Sequence, residues 1–221
     1  ALLQILTSAN IACGGHAGDA DVMAATMWTA HENGVGIGAH PGFMDLAGFG
    51  RNRMAVPRGT LQNQIRYQVA ASVGMARSVG AEVRHLKLHG ALANMASEDE
   101  GLARDLYEAA LSVAPDLIVM VLAATAQERA VKSLGCKWAG EIFADRAYND
   151  DATLVDRSKP GAVIHDADTA AARMVDMVKA GAIITESGKH IPTRIDTICL
   201  HGDTAEAVQI ATAVRKGLQD G

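Results

Sequence analysis

The sequence predicts an α/β chain folded as a (β/α) barrel of about seven parallel strands. Short apolar runs alternate with helical patterns along the whole length. Aromatic residues make up only 4 % of the 221 residues while aliphatics and alanine dominate, which suits helices packed on a sheet better than a sandwich. Several apolar runs also stop at one kind of corner, a histidine or aspartate close to glycine or proline, as at Gly15-His16, His40-Pro41, His89-Gly90 and His201-Gly202-Asp203.

The first strand is read at residues 11–13, where Ile-Ala-Cys ends at Gly14 and Gly15 and delivers His16 and Asp19. A mostly apolar helix over 21–33 follows, closed by Asn33-Gly34. Residues 35–39 form the second strand, ending at His40; Gly36 and Gly38 weaken it and imply that something packs closely there. Residues 40–58 show no periodicity and carry Phe43, Met44, Leu46 and Phe49, so they read as a long loop with a functional role. The spacing of Leu61, Ile65, Val69 and Val73 predicts a helix over 60–80.

A third strand over 83–88 leads to His89, and Ser97-Glu-Asp-Glu100 caps a helix running to 114. Residues 117–123 are a fully buried fourth strand, 126–134 a short helix, and 138–144 a fifth strand ending at Asp145-Arg146. Residues 145–160 read as a second polar loop and 168–180 as a helix. A hairpin over 182–191 follows, expected to be a lid or spacer and not part of the core. The sixth strand, 197–200, gives His201, and a helix over 204–218 closes a single expected domain spanning 1–221. The seventh strand is expected to be missing ahead of Ala1, because the first seven residues read like the tail of a helix.

A net charge of −5 with no run of like charge gives no footprint for nucleic acid and favours a small-molecule ligand. No apolar run reaches the length of a membrane span, and three widely spaced cysteines do not form a disulfide framework, so a cytoplasmic setting is expected. The glycine-rich segments lack the Walker and Rossmann spacings, so a self-contained nucleotide site is not expected.

In a parallel barrel the carboxyl ends of the strands form the active mouth, which selects His16, Asp19, His40, Lys87, His89, Asp145 and His201. One such corner is an ordinary turn, but four of the eight histidines at strand ends are hard to use in any other way. Imidazoles beside carboxylates can bind a divalent metal or serve as general acid and base, and both support hydrolysis. Arg51, Arg53 and Arg146 lie in loops over the mouth, where a guanidinium fork would receive a carboxylate or phosphate. Cys13 and Cys199, inside strands, read as small buried thiols.

Six blocks carry a family resemblance: Ser8-Ala-Asn-Ile-Ala-Cys-Gly-Gly-His-Ala-Gly-Asp19, Gly38-Ala-His-Pro41, Gly48-Phe-Gly-Arg51, Lys87-Leu-His-Gly-Ala-Leu-Ala-Asn94, Glu141-Ile-Phe-Ala-Asp-Arg-Ala-Tyr148 and Cys199-Leu-His-Gly-Asp203. In this order they resemble the LamB/YcsF family, the A subunits of prokaryotic 5-oxoprolinase. The resemblance implies a barrel of the glycoside hydrolase/deacetylase type. It also implies ATP-dependent opening of the 5-oxoproline lactam to L-glutamate, with B and C partner subunits. It departs in three places. The family's opening strand with Asp-Leu-Asn-x-Asp is absent, its Lys-Pro-His-Gly is Lys87-Leu-His-Gly90, and its Leu-Tyr-Asn is Leu92-Ala-Asn94.

The roles that follow from the resemblance are expectations. His16, His40, Lys87, His89, Asp145 and His201 form the catalytic set, and Asn10, Asp19, Arg51, Arg146 and Asp203 bind substrate. ATP acts with the partner subunits, and His16, His40 and His89 are the expected ligands should a divalent metal be bound. Two other readings stay open: a metal-dependent deacetylase acting on a carbohydrate, and a non-catalytic subunit that holds substrate for a partner.

Overall fold

The computed structural model describes residues 2–220; the expected domain limits, Ala1 and Gly221, lie outside the described residues. Six strands, β1 (Ser8–Ala12), β2 (Gly36–His40), β3 (Val83–Lys87), β4 (Ile118–Leu122), β5 (Trp138–Phe143) and β8 (Thr197–Cys199), run parallel in that spatial order. They form a half-barrel whose edges, among the described residues, are β1 and β8. The helices are α1 (Ala20–Glu32), α2 (Arg58–Ser78), α3 (Gly90–Glu98), α4 (Glu100–Leu111), α5 (Ala126–Leu134), α6 (Ala167–Ala180) and α7 (Ala207–Asp220). A separate antiparallel hairpin joins β6 (Ala182–Ile184) to β7 (His190–Pro192).

The helix signals act as local chemistry requires. Asp19 accepts a hydrogen bond from the Val22 amide and caps α1, whose Met23, Met27 and Ala30 are buried on one face. Gly135 and Gly181 take left-handed φ at the ends of α5 and α6, a conformation that side-chain-bearing residues avoid. In α2 the buried stripe Leu61, Ile65, Val69 and Ala76 is interrupted by two buried polar residues, Gln68 and Ser72. Gln68 spans the gap to the loop after β2, accepting from the Gly42 amide at 3.1 Å and donating to the Gly42 carbonyl at 2.8 Å.

One helix is added and two expectations are corrected. The helix expected after the cap at 97–100 is α4, which Asp99 caps by accepting from the Leu102 amide, while α3, starting immediately after His89, was not expected. The His89-Gly90 corner hid α3, because Gly90 takes a φ of 56° at its first residue. The hairpin is not a spacer, since Ile183 is fully buried in the cluster that packs α6 and α7 against β5 and β8. Finally, the closing helix begins at Ala207 instead of 204.

The register decides what reaches the mouth. Ala12 pairs with His40, Lys87 with Met120, Leu122 with Glu141, and Phe143 with Cys199, so the carboxyl ends of all six strands open on the same side. At Gly38 a Cβ would overlap the His85 ring; the missing side chain lets His85 cross β2 and reach Asn10 Oδ1 at 3.1 Å.

Candidate active site

A pocket of about 1000 Å³ opens at the carboxyl ends of the strands. His16, His40 and His89 line one wall, Lys87 and Glu141 the floor, and His201 the opposite wall. Arg51, Arg146 and Asp203 stand over it, and Asn10 reaches it from β1. The strand-end corners therefore converge.

The floor is a buried ion pair. Lys87 Nζ lies 2.5 Å from Glu141 Oε2, 2.8 Å from Cys199 Sγ and 4.6 Å from the centre of the Phe143 ring. Burial opposes the ammonium charge, but the Glu141 carboxylate and the hydrogen bonds that Cys199 and Glu141 accept outweigh it and hold the Lys87 pKa above its ordinary value. Burial likewise pushes the Cys199 thiol up to about 12, so it is a neutral thiol facing a cation.

The opposite wall is an aspartate–histidine couple. Asp145 Oδ2 accepts from His201 Nδ1 at 2.7 Å and from the His201 backbone amide at 3.2 Å. Burial alone would lift the Asp145 carboxyl, yet the hydrogen bond and charge of His201 bring it below the ordinary aspartate range. Asp145 does not line the pocket itself; it stands behind His201, fixes the Nδ1–H tautomer and leaves Nε2 as the working nitrogen.

The first wall is a histidine cluster held by glycines. His16 stacks on His89 with ring centres 3.6 Å apart and planes 2° from parallel. A Cβ on Gly50 would fall 2.7 Å from His16 Cβ and 2.9 Å from His89 Cδ2, so the loop can lie on the rings only with glycine there. Burial, then the charges of His89 and Arg51, push His16 down to about 3; burial pushes His89 down to about 4. His40 is also held well below its ordinary value, by burial and then by His89 and Lys87.

The three imidazoles expected to hold a metal differ in their surroundings: His40 Nδ1 and His89 Nε2 face backbone carbonyls, His40 Nε2 and His89 Nδ1 face each other at 3.1 Å, and His16 Nδ1 is buried without a hydrogen-bond partner. Among the described residues no group of three or more histidine, cysteine, aspartate or glutamate side chains is arranged to hold a metal ion.

Two expected substrate contacts also change. Asp19 lies outside the pocket, and its carboxylate serves as the α1 cap. Arg146 lines the pocket but is buried, and it donates to the Ala162 and Val155 carbonyls at 3.2 and 2.6 Å, which leaves little of the expected fork free. Arg51 keeps its place over the mouth, 2.6 Å from Asp203. Glu141, absent from the residues expected in the site, is the partner of Lys87; its signal was a carboxylate inside an otherwise apolar strand. Arg157, absent from them too, lines the pocket from the 145–160 loop, and no local pattern distinguished it there.

The LamB/YcsF family model matches residues 1–221. The chain belongs to the LamB/YcsF family. It is 69 % identical over 220 residues to a protein of Ruegeria pomeroyi named as the A subunit of 5-oxoprolinase, covering 100 % of this chain and 87 % of that one. A Nitrobacter hamburgensis protein of the same name is 48 % identical over 221 residues, with the same coverage. Among solved structures, the lactam utilization protein from Thermus thermophilus superposes with a TM-score of 0.91 at 35 % identity, covering 99 % of this chain and 87 % of that one. This LamB/YcsF chain thus shares the TIM-like barrel architecture of its relatives. No helix among its described residues is long and apolar enough to cross a membrane.

Proposed function

We propose that this chain is the lactam-opening component of an ATP-dependent 5-oxoprolinase, acting with subunits B and C to convert 5-oxoproline to L-glutamate. The observation that carries the reading is a single pocket with a carboxylate-backed imidazole, His201 on Asp145, beside a buried ammonium, Lys87 on Glu141. Opening a lactam needs a base to activate water, positive charge where the carbonyl oxygen gains negative charge, and a proton for the departing nitrogen. His201 Nε2 is placed to take the water proton and return it to the nitrogen, with Asp145 stabilising the imidazolium between the two steps. Lys87 supplies fixed positive charge on the floor.

An amide is a weak electrophile, and ATP activates it by phosphorylating the carbonyl oxygen with release of ADP. Water then adds to that carbon, the C–N bond breaks as the nitrogen takes a proton, and the acyl phosphate so formed reacts with a second water to release inorganic phosphate and L-glutamate. The glycine-rich segments match no nucleotide-binding spacing, so we assign ATP to the partner subunits. Arg51 and Arg157 at the mouth suit the carboxylate and phosphate of an activated lactam. The deacetylase alternative needs a metal, and among the described residues no group of three or more histidine, cysteine, aspartate or glutamate side chains is arranged to hold one.

Glutamate release from 5-oxoproline tests the reading, measured with the chain alone and with subunits B and C, ATP and magnesium. Turnover is expected only in the full mixture. Hydrolysis by the isolated chain without ATP would contradict the division of labour.

A further inference from the structure

The inner face of α6 carries one residue at odds with its helical spacing. Ala170, Met174 and Met177 form the stripe that packs in the cluster with β5 and β8, and Arg173 stands among them, where the period calls for an apolar side chain. It is half-buried. Burial disfavours its charge and lowers its pKa from the ordinary value, against the pull of the Asp145 and Glu186 carboxylates. A guanidinium in such a place needs polar partners, because a donor group taken from water and left unbonded is costly.

Its partners are the backbone on either side of Asp145. Arg173 Nη1 donates to the Ala144 carbonyl and Nη2 to the Arg146 carbonyl, both at 3.1 Å. The Asp145 carbonyl between them accepts from the Ile164 amide at 2.9 Å, and the Ala144 amide donates to the Cys199 carbonyl at 2.9 Å. Three successive carbonyls are therefore held, two of them by one planar fork that fixes their separation as well as their direction.

The Asp145 side chain depends on that hold. Its Oδ2 accepts from the His201 ring and amide, whereas its Oδ1 is buried without a hydrogen-bond partner among the described residues. No donor on the second oxygen sets the plane of the carboxylate, so its placement under His201 is inherited from the chain at 144–146. Charges of both signs act on it, from Glu141 in β5, Arg146 and Arg157 in the loop that follows, His201 after β8 and Arg173 in α6. Of these, Arg173 is the one that binds the chain on both sides of Asp145.

We propose that Arg173 is a positioning residue for lactam opening: by holding the carbonyls of Ala144 and Arg146 it aims the Asp145 carboxylate at His201 Nδ1. It acts through Asp145 and His201 and does not line the pocket where they work. The catalytic consequence rests on the role given to His201 in the function proposed above, whereas the aim of the carboxylate rests on the hydrogen bonds alone. Arg173 instead lines a second cavity, of about 290 Å³, whose rim includes the exposed Gly161 and Glu186. Truncating its side chain enlarges that cavity, so a guanidinium ion from solvent can take the place of the missing fork.

The test compares the wild-type chain with Arg173→Ala and Arg173→Lys, each with its urea midpoint. Lysine keeps the charge but offers one ammonium where two carbonyls need a fork. In the complex with subunits B and C, ATP and magnesium, Arg173→Ala should lower kcat for glutamate formation by about 10–100-fold, the scale of a small misplacement, with KM unchanged. Arg173→Lys should recover part of that loss. Guanidinium chloride, far below denaturing concentrations, should raise the kcat of the alanine variant and leave the wild type as it was. In the isolated chain labelled with ¹⁵N-histidine, the downfield His201 Nδ1–H signal should move upfield in Arg173→Ala and return when guanidinium is added. A wild-type kcat in a folded alanine variant, an unmoved His201 signal, or a loss that guanidinium does not reverse would each overturn the proposal. Failure of both variants to fold would overturn it too, by making the role of Arg173 structural. The His201 signal is read without substrate, so a wild-type complex that forms no glutamate would sink the lactam reading and leave the aim of Asp145 to be decided by NMR.

Discussion

At the scale of single residues, burial separates the groups that do chemistry from those that only build. Asp19 and Asp145 are both aspartates close after a strand in sequence, and both were expected in the site. Asp19 is exposed and spent on a helix cap, whereas Asp145 is buried and spent on an imidazole. Asp19→Ala should therefore lower stability by about 1 kcal/mol, as lost caps do, and leave turnover in the full complex unchanged. Urea denaturation and the glutamate assay check the two halves of that statement. Glu141 behaves in the opposite way. Removing its charge leaves the Lys87 ammonium uncompensated, so Glu141→Gln should cost about 3–5 kcal/mol, the usual penalty for breaking a buried pair from one side. A loss below about 1 kcal/mol in the same denaturation experiment would mean that the pair is not buried as described.

At the scale of elements, sequence periodicity and caps located most helices and all six parallel strands, because those signals are local. What escaped was set by contacts distant in sequence. The helix α3 begins at a glycine that looked like a turn, and it is held there by the Ala91 amide donating to the Gly50 carbonyl. Gln68 lies within the helix predicted over 60–80 and is not singled out by its spacing, yet it is fully buried and clamps the loop that carries Gly42 under the histidines. A Cβ on Gly15 would also collide with it, at 2.5 Å from its Oε1, so two strand-end loops converge on this one amide. Gln68→Leu removes both bonds to Gly42 and strands a buried amide and carbonyl. The expected loss is about 1–3 kcal/mol per unsatisfied group, measured by denaturation, together with a fall in turnover as the His89 wall loosens. Unchanged stability would show that Gln68 is not the clamp.

For the whole molecule, the convergence of the mouth was legible because parallel strands put all their carboxyl ends on one side, so the corners at His16, His40, His89 and His201 could be added without knowing the register. Their separate roles were not legible. Whether an imidazole stacks, relays or backs onto a carboxylate depends on ångström-scale distances that spacing in sequence does not encode.

The buried histidines also give the molecule a pH signature. His16, held to about 3, and His85 and His89, held to about 4, all lie below the ordinary histidine value in the fold. The unfolded chain therefore binds protons that the fold excludes. Stability is complete above about pH 6.5 and is lost as pH falls toward about 4, by up to ~1.4 kcal/mol per pH unit for each such histidine. Urea midpoints measured across that interval should decline steadily; a flat profile would show that these rings are accessible to protons in the fold.

The central claim is that the pocket is catalytic and that His201, oriented by Asp145, moves the protons of lactam opening. Its most direct test is the turnover number of His201→Ala for glutamate formation in the complex with subunits B and C and ATP, with native stability confirmed beside it. The account predicts a loss of about 10²–10⁴-fold, the range for a general acid–base residue. A variant that folds, assembles and turns over at the wild-type rate would contradict it, and would reduce this chain's role to holding substrate for the chemistry of a partner.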